Sequence, residues 1–283
     1  MNIIEMIKEG LRIARTSKSL WLYGFFVGLG TTVNSKGNGH VPGAPAVAHL
    51  APHAFTGVTA LLAIAILVLI AAVVFMYFVS EGALIEGVTR VRLSKTPTVR
   101  EGWRDGLAHW GVLFRIAVIY FAISVGSLVV LATPFLLALK LSGTALAVTF
   151  AVPAVLIAVP WLVTLYMWQA FAARIAVLEN RGANDAIGKA RLFLHGRLLH
   201  GLKLIVAAFL GRLIVVVVGA VALAVVAAFV FLVQTVFGMT HAAVPVIALG
   251  AMLLLPIVLI LVAISGTTQS SIWTIGYLTQ EGQ

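Results

Sequence analysis

Long apolar runs separated by short basic stretches set the pattern of this chain. Leu61–Val79 and Leu213–Val233 contain no charged side chain. Membrane-crossing strands alternate apolar and polar residues over about ten positions. These runs do not alternate, so helices are predicted. A helix needs about 20 mostly apolar residues to cross the hydrocarbon core. Six segments meet or approach that requirement: Ser19–Val33, Val58–Ser80, Val112–Leu139, Ala145–Ala172, Leu204–Val233 and Val244–Ile264. The last continues in a more polar form to Leu278, and the first is short and carries Gly24, Gly28 and Gly30.

Composition moves the reading from buried core to membrane. Hydrophobic residues make up 61% of the 283 and charged residues 10%, with mean hydropathy +1.11. A soluble domain averages about 45–50% apolar and about 25% charged. The expected fold class is therefore all-α, a polytopic transmembrane bundle of six spans forming one membrane domain over residues 1–283. Met1–Lys18 mixes acidic and basic residues without a small-residue cleavage site, so it reads as retained and not as a signal peptide.

Charge then orients the spans. Lys8, Arg12, Arg15 and Lys18 precede the first. Arg90, Arg92, Lys95, Arg100, Arg104 and Arg115 surround the second-to-third connection, and Arg174, Arg181, Lys189, Arg191, Arg197, Lys203 and Arg212 the fourth-to-fifth. Seventeen of the nineteen basic residues thus share one side, leaving Lys36 and Lys140 on the other. Basic loops stay cytoplasmic, which puts both termini inside. The net charge of +10 is read as topology signal beside anionic headgroups, and nucleic acid is not an expected partner.

The same side carries an internal repeat. Three segments, approximately 2–87, 96–180 and 184–282, each read as an amphipathic elbow helix followed by a hairpin of spans. The elbow stripes are Ile4, Ile7, Leu11 and Ala14; Val99, Trp103, Leu107 and Trp110; and Ile187, Ala190, Leu194 and Leu198, all at helical spacing. Thr98 and Glu101 fit a capping box, while Asn184 and Asp185 fit N-caps. Glu86-Gly87, Glu179-Asn180 and Glu281-Gly282 each end a hairpin with a residue suited to a left-handed C-cap. The elbows are expected to lie along the cytoplasmic interface.

Short motifs add a resemblance. Leu20-Trp21-Leu22-Tyr23-Gly24, Gly102-Trp103-Arg104-Asp105-Gly106 with Trp110, Ala176-Val177-Leu178-Glu179-Asn180-Arg181-Gly182 and Trp273-Thr274-Ile275-Gly276-Tyr277-Leu278 are involved. Together they resemble bacterial six-helix membrane proteins related to the membrane domain of glycerophosphoryl diester phosphodiesterases. The resemblance implies a multi-pass protein of the bacterial inner membrane. In fused members catalysis belongs to a separate soluble barrel. Such a barrel needs about 250 residues, which the spans do not leave, so no catalytic residue carries over.

Candidate chemistry is sparse. The chain has no cysteine and no Gly-x-Ser-x-Gly, His-Glu-x-x-His or P-loop motif, so neither enzyme chemistry nor a cofactor is expected. His40, His49 and His53 lie in the first outer loop, but Pro52 breaks a shared helical face and no metal site is expected. Arg115 and Arg212 enter their spans, where charge is a functional hypothesis; snorkelling, or pairing with Glu81 or Glu86, is the competing one. Thr268, Gln269 and Ser271 in the polar inner half of the last span, with Tyr166 and Gln169, would line a cavity open to the cytoplasm. Alternatively, the hydroxyls only bond back to their own helix. Pro153, Pro160 and Pro256 would kink their helices. Trp21, Trp103, Trp110 and Trp273, with Arg100, Arg104, Lys189, Arg191 and Arg197, form the expected inner interface.

The leading expectation is a non-catalytic membrane module that packs lipid, a second copy or another membrane protein at the cytoplasmic leaflet. The alternative is a transporter or channel for a small solute or lipid headgroup. The cysteine-free background allows a direct topology test. Lys95→Cys and Arg181→Cys should react with an impermeant thiol reagent from one face and Lys140→Cys from the other. Reaction of the first two from opposite faces would overturn the orientation.

Overall fold

The computed structural model describes residues 2–33, 57–142, 144–236 and 243–281. These form eight α-helices and no strand: α1 (Ile3–Thr16), α2 (Trp21–Val33), α3 (Gly57–Arg92), α4 (Val99–Ser142), α5 (Thr144–Leu178), α6 (Ala183–Leu194), α7 (Leu198–Val236) and α8 (Ala243–Glu281). Five stretches are long and apolar enough to cross a membrane: Ala60–Arg92, Val99–Lys140, Val148–Leu178, Leu198–Phe229 and Leu254–Gln280. In the most hydrophobic part of α3 only 11% of residues are buried, and in that of α5 only 6%. A helix serving a water-soluble core would bury its apolar stripe, so these are the surfaces of an integral membrane protein.

Burial is concentrated in one half of the bundle. Residues 61–74 of α3 are exposed, whereas Val79, Ala83, Leu84, Ile85 and Val88 are buried. On α5 the change comes at Leu165, and on α8 at Ala263. The buried half is the end that carries the basic connections. It holds the largest cluster, in which Phe171, Trp273 and Tyr277 stack edge-on or tilted at 5.7–6.4 Å between ring centroids.

Close backbone crossings explain the glycines of α2. A side-chain carbon at Gly24 would overlap Thr267 Oγ1 and the Ala263 carbonyl, and one at Gly28 the Val262 carbonyl. From the other side, a carbon on Gly266 would overlap the Gly24 carbonyl. Small residues four apart on facing helices are how membrane helices bring backbones together. Gly106 of α4 crosses the Val79 carbonyl of α3 in the same way. Tyr23 donates from its hydroxyl to the Val99 carbonyl, and Ser19 to the Pro97 carbonyl at 2.7 Å, tying α2 to the α3–α4 turn. Arg90 closes that turn by pairing with Asp105 and with Glu101 at 3.2 Å.

The elbows differ from their expected form. Residues 97–110 make no separate helix, because Val99–Ser142 is one unbroken helix. Val99, Trp103, Leu107 and Trp110 are 38–44% exposed, while Gly102, Gly106 and Leu113 pack inward. In hydrocarbon the apolar stripe turns outward and the small residues seek the neighbour, the opposite of the rule in water. On α1 the buried face is Met6, Ile7, Gly10, Ile13 and Ala14, and Ile4 is 61% exposed. On α6 it is Ala186, Ile187, Ala190 and Leu194; Leu198 already belongs to α7.

Caps follow the sequence in part. The Thr98–Glu101 box is present, with both bonds at 3.3 Å, and Asn180 takes the left-handed conformation at φ 51°. Gly87 is no cap, since α3 continues to Arg92 and Ser94 takes the left-handed position at φ 58°. Gly87 instead receives Leu20. The N-cap of α6 is Gly182, not Asn184 or Asp185, without a side-chain bond. Gly282 lies outside the described residues.

Glu179, just past α5, joins three elements. It accepts from Lys189 of α6 at 2.6 Å, Tyr277 of α8 at 2.6 Å and Arg181 of the turn at 2.8 Å. Burial pushes its carboxyl up, but these bonds and the Lys189 charge outweigh that and hold it below the usual carboxylate range. A carboxylate depressed in the folded state stabilises above its unfolded pKa and loses that contribution as pH falls through the folded value. The melting temperature in detergent should therefore fall on acidification below about pH 4. Glu179→Gln should melt lower at neutral pH and lose part of that acid dependence; an unchanged pH profile would exclude this group. Gly24→Leu should destabilise by roughly 1–3 kcal/mol or more from overpacking. Gly111→Ala, where nothing lies within 4 Å of the added carbon, should be neutral or gain up to about 1 kcal/mol. Equal melting of the two variants would refute the tight α2–α8 crossing.

Candidate functional site

Polar side chains on three spans converge inside the packed half. Glu81 of α3, Arg174 of α5, and Gln269 and Ser270 of α8 border one cavity of about 730 Å³. Tyr77, Tyr166 and Trp273 supply its aromatic wall. Each helix brings its residues for a simple reason. Tyr77 and Glu81 are four apart, as are Tyr166 and Ala170, and Gln269 and Trp273, so each pair shares one helical face.

Arg174 organises the polar end. It is 5% exposed, donates from Nη1 to the Ala170 carbonyl at 2.9 Å, and approaches Glu81 Oε1 at 3.5 Å. Its guanidinium carbon stands 6.0 Å from the centroid of the Trp273 ring. A buried ion pair of this kind is held by mutual neutralisation more than by net stabilisation. Gln269 Nε2 donates to the Tyr166 hydroxyl at 3.3 Å. Four polar atoms here are buried without a protein partner: Arg174 Nε, Gln269 Oε1, Ser270 Oγ and Trp273 Nε1. Native proteins satisfy most such groups, so unmet polar capacity is concentrated at this end of the bundle.

The cavity is graded from polar to apolar. Val73 and Val74 line it about 12 Å up α3 from Glu81, at 1.5 Å per residue. Leu29 and Phe121 line the same apolar part. Phe121 is 70% exposed, Val73 48% and Val74 40%, so the apolar end reaches the lateral surface of the bundle. The polar end lies one turn from the end of α5, on the side of the basic connections.

The site residues read from sequence separate accordingly. Gln169 and Gln269 line the cavity, with Tyr166. Thr268 does not: it is buried toward Gly10 and Gly211, between α1 and α7. Ser271 bonds back to the Thr267 carbonyl at 2.7 Å, as Thr274 does to Ser270 at 2.9 Å. Arg212 is not among the lining residues, and Arg115 lies in a separate recess of about 510 Å³ beside Gly182 and Asp185. Glu81 pairs with Arg174, not with Arg115.

Trp273 needs the largest correction. Expected in the interface belt, it is 1% exposed and walls the cavity. Trp21 donates to the Ala14 carbonyl at 2.6 Å, and Trp103 and Trp110 are each 39% exposed. Arg100 and Arg104 are exposed, Lys189 holds Glu179, and Arg191 and Arg197 lie over the rings of Trp168 and Phe193 at 5.4 and 5.7 Å. His40, His49 and His53 lie outside the described residues. Among the described residues no three His, Cys, Asp or Glu side chains gather as a metal site.

Sequence reading named Glu81 as a candidate partner of Arg115 or Arg212 and placed Arg174 in the fourth-to-fifth connection, so it missed their pairing and the role of Trp273. The apolar residues Ala83–Ile85 and Ile175–Leu178 beyond the two charges are the signal that the helices continue. No protein-family pattern, curated protein or solved structure matches the chain.

The ion pair generates a test. Arg174→Ala alone should destabilise toward the lower end of roughly 3–5 kcal/mol, because it leaves Glu81 uncompensated. Glu81→Gln with Arg174→Gln should restore most of that loss in detergent melting. If the double variant melts below both singles, the two charges are not coupled.

Proposed function

We propose that this is a six-span membrane protein, without catalytic chemistry of its own, that binds one lipid-like amphiphile from the cytoplasmic leaflet. The observation that carries the reading is the graded cavity. Its charged and hydrogen-bonding end lies on the basic side of the bundle, and its apolar end opens laterally among exposed Val73, Val74 and Phe121. A lipid of the inner leaflet has the same polarity, with its head at the interface and its chains toward the bilayer centre. Pockets that bury an apolar ligand with a few placed polar groups are the usual form of a small-molecule site.

The sixth span is α2. Its 13 described residues rise only about 20 Å. The glycine crossing with α8 supports its place inside the bundle. An even number of spans also keeps all basic connections and both termini on the cytoplasmic face. The short elbows α1 and α6 would flank that face, with exposed Lys8, Arg12 and Arg15 toward headgroups. The threefold elbow-and-hairpin plan is part of this proposal, with its second elbow fused to a span. So is kinship with the membrane domain of glycerophosphoryl diester phosphodiesterases, which contributes no catalytic residue, and so is the bacterial inner membrane as location.

A transport reading is favoured by one further observation. Two of the helices that furnish polar groups contain prolines, Pro153 and Pro160 in α5 and Pro256 in α8. Proline removes a helical hydrogen bond and allows bending. Protein purified in an uncharged detergent should retain tightly held lipid measurable by mass spectrometry. Ala117→Trp, which fills the cavity from α4, should stay folded and lose it. Retention of the same lipid by a folded Ala117→Trp protein would refute this site. Labelled lipid exchanging between vesicle leaflets no faster than in protein-free vesicles would end the transport reading alone.

A further inference from the structure

The ion pair narrows which amphiphile the cavity accepts. At 3.5 Å, Arg174 and Glu81 are farther apart than a charge-assisted hydrogen bond allows. One guanidinium nitrogen is engaged by the Ala170 carbonyl, and Nε is buried without a partner. Two opposite charges are thus held side by side with bonding capacity left over. A head with only an anion would meet Arg174 but press against the Glu81 carboxylate. A head with only a cation would meet the reverse. An uncharged head would leave the unused capacity unmet. In a low-dielectric cavity these mismatches are weakly screened, so they discriminate.

The neighbouring wall adds a second preference. Tyr77, Tyr166 and Trp273 border the same space. Aromatic faces attract ammonium groups through their quadrupole. We infer that the cavity selects a zwitterionic amphiphile, whose oxyanion meets the guanidinium of Arg174 and whose ammonium meets Glu81 and the aromatic wall. This rests on the amphiphile-binding reading above and specifies its ligand class. The phosphate–ammonium heads of phospholipids and carboxylate–ammonium heads share the required chemistry.

The test is calorimetric titration of the full chain in an uncharged detergent with four short-chain probes. These are a dihexanoyl phosphoethanolamine, an acyl betaine, a dihexanoyl phosphoglycerol and an uncharged dihexanoylglycerol. The phosphoethanolamine should bind about tenfold or more tighter than the phosphoglycerol and the uncharged probe. An acyl betaine that binds as well assigns any oxyanion to Arg174; one that binds weakly assigns phosphate. Both results support the zwitterion class. Glu81→Gln should move the preference toward the phosphoglycerol by about tenfold. The charge-neutral double variant Glu81→Gln/Arg174→Gln, chosen because it buries no lone charge, should lose discrimination while still binding. Equal affinity of wild-type protein for all four probes would overturn the inference and leave the amphiphile site standing. So would an unchanged preference in folded Glu81→Gln. Absence of binding by every probe would overturn both.

Discussion

Hydrocarbon gives apolar helices no reason to prefer one another over lipid, and the rest of this structure depends on that constraint. Cohesion must come from close backbone approach and from polar groups that pair inside the bundle. Both are concentrated at one end. Gly24, Gly28 and Gly266 bring α2 onto α8, Gly106 brings α4 onto α3, and Glu179 ties α5, α6 and α8 together. Residues 61–74 of α3 carry only aliphatic side chains and are exposed, and the outer half of α5, described from Val148, is mainly apolar and mostly exposed. Where the sequence turns polar or small, the protein is packed; where it is purely greasy, it is surface.

The same constraint explains which features were legible beforehand. Five of the spans were, because long apolar runs need no tertiary context. The Asn180 turn was, because a left-handed residue after a helix leaves a local trace. Val99, Trp103, Leu107 and Trp110 form the stripe their spacing predicted, on the exposed face of α4. Helix ends were misplaced. Thr98 and Glu101 marked the start of α4 correctly, yet nothing local says whether an amphipathic segment will continue into the next span.

The candidate site was half visible. Gln169, Gln269 and Tyr166 stood out as polar residues inside apolar runs, and they do share the cavity. Thr268 and Ser271 stood out equally and do not line it, since neighbours on one helix point to different sides. Arg174 was hidden by its own charge, and Glu81 was weighed only as a partner for Arg115 or Arg212. A charged residue at the edge of a greasy run looks like the beginning of a loop. Only the continuation of α3 by eleven residues and of α5 by four turns each into an interior position. Their pairing spans 93 residues of sequence, a separation over which a single chain carries no local signal.

The α2–α8 crossing has a consequence for how the chain is made. Leu20 and Thr267, which meet at this crossing, stand 247 residues apart in the chain. Until α8 has been synthesised, Gly24 and Gly28 lack the neighbour whose backbone fits them. The crossing therefore closes late, as a ring does, and truncation before Gly266 would leave it unmade.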